Sequence, residues 1–190
     1  AAGWNSLQKT VKYIQTKYPT IFTIADAKRG DIANTSFMYA KAFYHSLGFD
    51  AATVSPYLGQ DTVEPFLTFP NKWVILLALT SNSSYSNFQT MVNAETGNRL
   101  FEDVILKSIH WGSEENMMYV VGATRAKMLA DIRRLIPDHF LLLPDKPNAS
   151  YFVALFLKKQ VFLWVRFLLL LQLSAICTSN MYLAHHMQKE

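Results

Sequence analysis

The first 144 residues alternate between two patterns of apolar positions. Short runs that are apolar throughout, such as WVILLAL at residues 73–79, are separated by stretches with apolar residues every three or four positions. The first pattern is typical of strands buried on both faces, and the second of amphipathic helices. Strands that alternate with helices in this way predict a parallel sheet that is covered on both faces.

Five strands and five helices are predicted from this alternation. The strands are expected at residues 20–25, 51–54, 73–79, 117–122 and 139–144. The helices are expected at residues 5–18, 32–47, 60–68 and 97–111, and from a cap at Thr124 to Pro137. In the second helix Phe37, Ala40, Tyr44 and Leu47 should share one face, and Gly48 should end it. Five such strands fit either part of a (β/α)8 barrel or a doubly wound sheet.

Polar residues cluster directly after the predicted strands. In both candidate folds the carboxyl ends of parallel strands form the binding edge, so these residues are candidates for a site. They are Asp26 and Lys28 after the first strand, Ser55 and Tyr57 after the second, Thr80, Ser81 and Asn82 after the third, and Ala123 and Thr124 after the fourth.

The alternation stops after Pro144. Residues 145–190 begin with a polar loop and continue as a run dense in Leu and Phe, without turn residues to divide it. Residues 160–178 are almost long enough to span a bilayer, but Arg166 near their middle argues against this. A buried helix is one interpretation, and we favour sequence foreign to the domain. We therefore divide the chain into residues 1–144, a partial barrel, and residues 145–190, a divergent apolar tail.

Composition narrows the class of protein. Of the 190 residues, 51% are hydrophobic and 17% charged, as in a globular domain. The net charge of +4 is spread along the chain, so nucleic-acid binding is not expected. A single cysteine, Cys177, cannot form an internal disulfide and favours a reducing compartment. The first residues lack both a signal-peptide pattern and an initiator Met, which is compatible with a chain that begins inside a longer protein.

The most charged candidate segment is TIADAKRGDIANTS at residues 23–36. Asp26 and Lys28 are two apart and should point to the same side of an extended segment, and Asp31 follows at a helix start. A lysine held between carboxylates can donate a proton to a carbanion. A carboxylate beside a bound anion would repel it until the anion lost its charge there. Two other interpretations stay open: an ion-pair cluster that closes a loop, and Asp31 as a simple helix N-cap.

This segment and those after it resemble the orotidine 5′-phosphate decarboxylase family, in its bacterial-type branch. The family signature Asp-x-Lys-x-x-Asp-Ile/x-x-Thr is matched by Asp26, Lys28, Asp31, Ile32 and Thr35. The motifs TVSPYLG, LALTSN and VVGAT follow in the family's order, and the resemblance extends over about residues 3–144.

The resemblance implies a cytoplasmic homodimer of (β/α)8 TIM barrels. Such an enzyme converts orotidine 5′-monophosphate to uridine 5′-monophosphate and CO2 in pyrimidine biosynthesis, without metal or cofactor. Carried over by position, the resemblance implies that Lys28 protonates C6 of the pyrimidine and that Asp26 lies against the departing carboxylate. Asp31 would cross into the partner's site, with Ile32 and Thr35 lining it. Ser81 would hydrogen-bond the pyrimidine, with Asn82 nearby.

Other family features have no counterpart in this chain. The family has an acid on its first strand, a lysine on its second, a glycine-rich phosphate loop after its seventh and an arginine after its eighth. Only about its strands 3–7 are recognisable here, so we expect the chain as given to be incomplete and inactive. Two alternatives remain: a metal-dependent sugar-phosphate enzyme of the same superfamily, and a non-catalytic membrane-associated remnant suggested by residues 151–177.

Overall fold

Seven strands form one sheet in the computed structural model of the chain, which describes residues 2–122, 126–144, 154–158 and 161–163. The strands follow chain order across the sheet: β1 (Ile24–Arg29), β2 (Ala51–Val54), β3 (Trp73–Leu79), β4 (Met117–Val121), β5 (Phe140–Pro144), β6 (Ala154–Lys158) and β7 (Val161–Leu163). The helices are α1 (Ala2–Lys17), α2 (Ala33–Ala40), α3 (Gln60–Leu67), α4 (Leu100–Ser108) and α5 (Ala126–Leu135).

The first five strands are parallel and each is followed or preceded by a helix, as the apolar pattern predicts. Strand β2 is buried at all four positions, and β3 is buried at five of its seven. Strands of this kind need cover on both faces, which explains why their sequence does not alternate.

The two faces of the sheet are covered differently, and this distinguishes the two candidate folds. One face packs against α1–α5 in a large core that includes Val11, Phe66, Ile105 and Ile132. The buried residues of the other face come from the strands alone: Ile24, Ala51, Ile75, Met118, Val120 and Leu142. Among the described residues, helices therefore cover only one face of the sheet. Helices outside and side chains inside are the arrangement of a barrel wall.

The second predicted helix, residues 32–47, is divided in the structure. Helix α2 ends at Ala40, and residues Lys41–Ser46 continue as a π-helical turn. Ala40 and Tyr44 are buried as predicted, and the Tyr44 hydroxyl donates to the Trp73 carbonyl at 2.8 Å. Phe37 does not share that buried face, because 41% of it is exposed. Gly48 follows at a φ of 78°, which confirms it as the stop residue.

Strands β6 and β7 were not predicted. Strand β6 pairs antiparallel with β5, with Leu141 opposite Leu157, and β7 pairs antiparallel with β6, with Leu157 opposite Phe162. Their apolar runs, ALFL and VFL, are divided only by Lys158, Lys159 and Gln160. Runs this short show no periodicity that separates strand from helix, which is why the sequence pattern missed them. Within the described residues no helix is long and apolar enough to cross a membrane. Most of the apolar stretch at residues 160–178 lies outside the described residues, as does the cap proposed at Thr124.

Candidate active site

Asp26 and Lys28 lie inside strand β1, not after it as the sequence pattern suggested. The strand starts later and ends later than the apolar run at residues 20–25, because Arg29 still pairs with β2. The Ser55 amide donates to the Arg29 carbonyl at 2.7 Å, which holds this last residue in the sheet. The two charged side chains are therefore fixed by strand pairing at the carboxyl edge of the sheet.

The pairing between β1 and β2 is interrupted where these charges sit. Ala25 pairs with Ala52 and Arg29 with Val54, so that three residues of β1 face one residue of β2. The backbone of Lys28 has a φ of 47°, in the left-handed region that non-glycine residues seldom adopt. Bulges of this kind redirect side chains and are frequent beside active sites.

Asp26 and Lys28 form a close ion pair. The Lys28 Nζ lies 2.6 Å from Oδ1 and 2.5 Å from Oδ2 of Asp26. The Asp26 side chain is 5% exposed and that of Lys28 is 50% exposed. A buried carboxylate thus holds an ammonium that still reaches solvent. Two of the three ammonium protons satisfy the carboxylate, and the third is free to be donated to a bound molecule.

Thr53 of β2 is part of this cluster, and the sequence analysis did not identify it. Its Oγ1 lies 3.0 Å from Asp26 Oδ1 and accepts the Lys28 backbone N–H at 2.9 Å. The one available signal was a lone hydroxyl within the otherwise apolar strand AATV.

Asp31 lies apart from the ion pair. Its Oδ1 accepts the Ile32 N–H at 2.8 Å, and within the described chain it does not contact Lys28. The residue that caps α2 is Ile32, which has no side-chain cap, so the interpretation of Asp31 as the helix N-cap is wrong. Ile32 is 69% exposed, and Thr35 is exposed too, with its amide on the Ile32 carbonyl at 3.0 Å. Ile32 and Thr35 thus face outward from this single chain, and Asp31 is half-buried.

Ser81 and Asn82 follow β3 at the same edge of the sheet. The preceding Thr80 is fixed by two 2.8 Å hydrogen bonds with Gln89, and its hydroxyl donates to Asn82 Oδ1 at 2.5 Å. The Gly122 amide donates to the Leu79 carbonyl at 2.9 Å, which places the end of β4 against Ser81. The residues after β3 are therefore held in a defined loop.

The loop between β3 and α4 is closed by a buried carboxylate. Asp103 accepts hydrogen bonds from Asn93 Nδ2 at 2.6 Å, Asn98 Nδ2 at 2.9 Å and the Thr96 hydroxyl at 3.2 Å. These bonds, that of Asn93 foremost, lower the pKa of the Asp103 carboxyl below its ordinary value. Among the residues that the structure describes, no three His, Cys, Asp or Glu side chains are grouped so that they could hold a metal ion.

Sequence comparison relates most of this chain to known enzymes. The model of the "Orotidine 5'-phosphate decarboxylase / HUMPS family" matches residues 1–143. Two relatives, each named orotidine 5′-phosphate decarboxylase, come from Christiangramia forsetii and Flavobacterium johnsoniae. The first is 58% identical over 143 residues and the second 58% over 142, in each case 75% of this chain. These segments make up 52% and 51% of the relatives, so the chain spans about half of their length.

Solved structures give the same relation. The orotidine 5′-monophosphate decarboxylase of Leishmania donovani superposes with a TM-score of 0.70 at 33% identity, over 77% of this chain and 57% of that one. The UMP synthase of the same organism gives 0.71 at 32% identity, over 79% and 33%. These neighbours are TIM barrels, in agreement with the helices on one face of the sheet. Because the family match covers three quarters of the chain and includes the Asp26–Lys28 pair, the chain belongs to the orotidine 5′-phosphate decarboxylase / HUMPS family.

Proposed function

We propose that this chain carries the proton-delivering part of a carboxy-lyase that converts orotidine 5′-monophosphate to uridine 5′-monophosphate and CO2. The observation that carries the proposal is the ion pair of Asp26 and Lys28, inside the family signature and at the carboxyl edge of the sheet. The names of the relatives at 58% identity support decarboxylation over the sugar-phosphate alternative.

The proposed reaction exchanges a carboxylate for a proton at C6. The bond between C6 and the carboxylate carbon breaks, CO2 leaves, and the electron pair remains on C6. Lys28 stabilises the developing negative charge and gives C6 its proton. Asp26 keeps Lys28 in place and lies against the departing carboxylate, so that its negative charge disfavours the bound anion before CO2 leaves.

The remaining predicted roles belong to the same proposal. Ser81 would hydrogen-bond the pyrimidine, with Asn82 beside it, and Asp31, Ile32 and Thr35 would line the site of a partner subunit. A homodimer is supported by exposed apolar side chains in the segments that follow β1 and β2. These are Ile32, Phe37, Met38, Tyr57 and Leu58, and Tyr57 is 84% exposed. We further propose that the enzyme needs no metal or organic cofactor and works in the cytoplasm.

A hybrid protein tests the proposed function directly. In it, residues 1–143 of this chain replace the matching segment of the Christiangramia forsetii relative, which supplies the rest of its own length. Loss of orotidine 5′-monophosphate is followed by ultraviolet absorbance. We expect the hybrid to have a kcat within about tenfold of that of the unmodified relative. A tenfold change corresponds to ~1.4 kcal/mol in activation free energy. A folded hybrid that binds uridine 5′-monophosphate but does not turn over would refute the proposal.

The polypeptide of residues 1–190 is assayed beside the hybrid, and we expect no turnover from it. In the part of the chain that the structure describes, β1 has one strand neighbour, β2, and β5 continues into antiparallel strands. An open parallel sheet leaves an edge and an inner face uncovered. Turnover comparable to that of the hybrid, from soluble protein, would contradict this expectation.

A further inference from the structure

Thr53 is a buried hydroxyl in a strand whose other residues are apolar. It is 1% exposed and lies between Ala52 and Val54, opposite the bulge of β1. A buried hydroxyl is costly unless its hydrogen-bonding capacity is used. Here it is used entirely on strand β1, which makes Thr53 the point of β2 that meets the charged cluster.

The donors and acceptors around Thr53 can be assigned from chemistry. The Lys28 backbone N–H can only donate, so the Thr53 oxygen accepts it. The single hydroxyl proton can then go to Asp26 Oδ1 at 3.0 Å or to the Ala25 carbonyl at 3.5 Å. The carboxylate is nearer and charged, and it is the stronger acceptor.

The result is a closed circuit of hydrogen bonds that begins and ends on Lys28. It runs from the lysine backbone through the Thr53 hydroxyl to the Asp26 carboxylate, and from there to the lysine Nζ. The circuit ties the left-handed backbone of Lys28 to the direction of its own ammonium. Neither the bulge nor the carboxylate could shift without breaking one of these bonds.

We propose that Thr53 is a positioning residue for proton delivery by Lys28, a role that rests on the proposed function. It does not touch the reacting atoms. It fixes the Asp26 carboxylate and the Lys28 backbone, and so determines where the ammonium proton points when C6 becomes basic. A site of this kind loses rate when a supporting bond is lost, even if the substrate still binds.

The test compares Thr53→Val with Thr53→Ser in the hybrid. Valine fills a similar volume without a hydroxyl, whereas serine keeps the hydroxyl. We expect Thr53→Val to lower kcat about 10- to 100-fold, the effect of losing one hydrogen bond to a charged group. KM should stay within about threefold, and Thr53→Ser should keep kcat within about threefold. Thr62→Val is the matched control, because Thr62 is as buried but its hydroxyl donates to the Gly59 carbonyl.

Amide hydrogen exchange, in the 190-residue chain and in the hybrid, gives a readout independent of turnover. The Lys28 amide should be protected in the parent and in Thr53→Ser, and exposed in Thr53→Val, while the Ser55 amide stays protected. An active hybrid in which Thr53→Val retains full kcat, or loses no more than Thr62→Val, overturns this inference alone. An inactive parent hybrid overturns the proposed function, and the role of Thr53 with it.

Discussion

Gly122 and Ser81 lie backbone against backbone at the carboxyl edge of the sheet. A Cβ atom built on Gly122 would come within 3.0 Å of the Ser81 Cα and 3.1 Å of its amide nitrogen. Backbone atoms cannot yield as the end of a flexible side chain can. The close approach thus favours glycine at this position of the VVGAT motif, and Gly122 lies against a residue proposed to bind the pyrimidine.

The first prediction follows from this contact. In the hybrid, Gly122→Ala should push Ser81 away and raise KM for orotidine 5′-monophosphate roughly tenfold, about 1.4 kcal/mol of binding. Steady-state kinetics of Gly122→Ala, Ser81→Ala and the double variant check it. If Gly122→Ala acts through Ser81, it should raise KM little further in a protein that already carries Ser81→Ala. Full additivity of the two effects would show that Gly122 acts through another group.

The second prediction concerns Lys28. Lys28→Ala in the hybrid should lower kcat by at least about 10³-fold, because within the described cluster it is the one group that can give a proton to C6. Binding of uridine 5′-monophosphate, measured by calorimetry, should fall much less. Lys72→Ala is the control, since Lys72 pairs loosely with Asp50 at 3.9 Å on the opposite edge of the sheet. A near-normal kcat in Lys28→Ala would remove the proposed role.

The third prediction concerns Asp31, whose carboxylate accepts the Ile32 N–H and forms no ion pair with Lys28 within the described chain. If it serves a partner's site, Asp31→Asn and Lys28→Ala hybrids should each be inactive and regain activity when mixed. Each mixed dimer then has one site with both residues intact, and up to about a quarter of parental activity should return, because half of the dimers carry one such site. Subunit exchange is verified by tagging one variant. Exchange without recovery would place the function of Asp31 within its own chain.

The fourth prediction concerns pH and the Asp103 carboxyl. Its hydrogen bonds lower its pKa in the folded state from the ordinary 3.8, so the folded protein favours the charged form. The stability it contributes is complete above the unfolded pKa and is lost as the pH falls through the lower folded value. Thermal unfolding of the hybrid from pH 6 to about pH 2.5 should show this loss, and Asp103→Asn should remove that part of the pH dependence. The exposed Glu114→Gln is the control, and an unchanged pH profile in Asp103→Asn would contradict the prediction.

The sequence predicted those parts of the molecule that repeat a simple physical pattern. The strand at residues 73–79 was predicted with both of its ends correct. A short run that is apolar on both faces is typical of a parallel strand buried within an α/β fold. The pairing of Asp26 with Lys28 was foreseen as well. The geometry that brings the two side chains together was not foreseen. The sequence analysis assumed a regular extended strand, whereas the structure has a bulge between Ala25 and Arg29.

Features that depend on strand register lay beyond the sequence. Thr53 joins the site only because three residues of β1 face it, and no local pattern in AATV reports what lies across the sheet. The exposure of Ile32 could not be read from the sequence either, because it depends on which residues pack around it. Its surroundings are proposed to come from a second subunit. Contacts between strands or between subunits cannot be predicted from the residue type at a single position.

The left-handed backbone of Lys28 sets folding stability against the proposed catalytic role at this position. A φ of 47° suits glycine or asparagine, and a residue with a longer side chain gives up on the order of 1 kcal/mol to adopt it. Replacement by glycine would relax the chain while removing the amine. It would also leave the buried Asp26 carboxylate without its cation. Directed evolution for heat tolerance alone would therefore tend to replace the lysine and the aspartate together, whereas selection on pyrimidine-free growth would keep both if the chain has the proposed function.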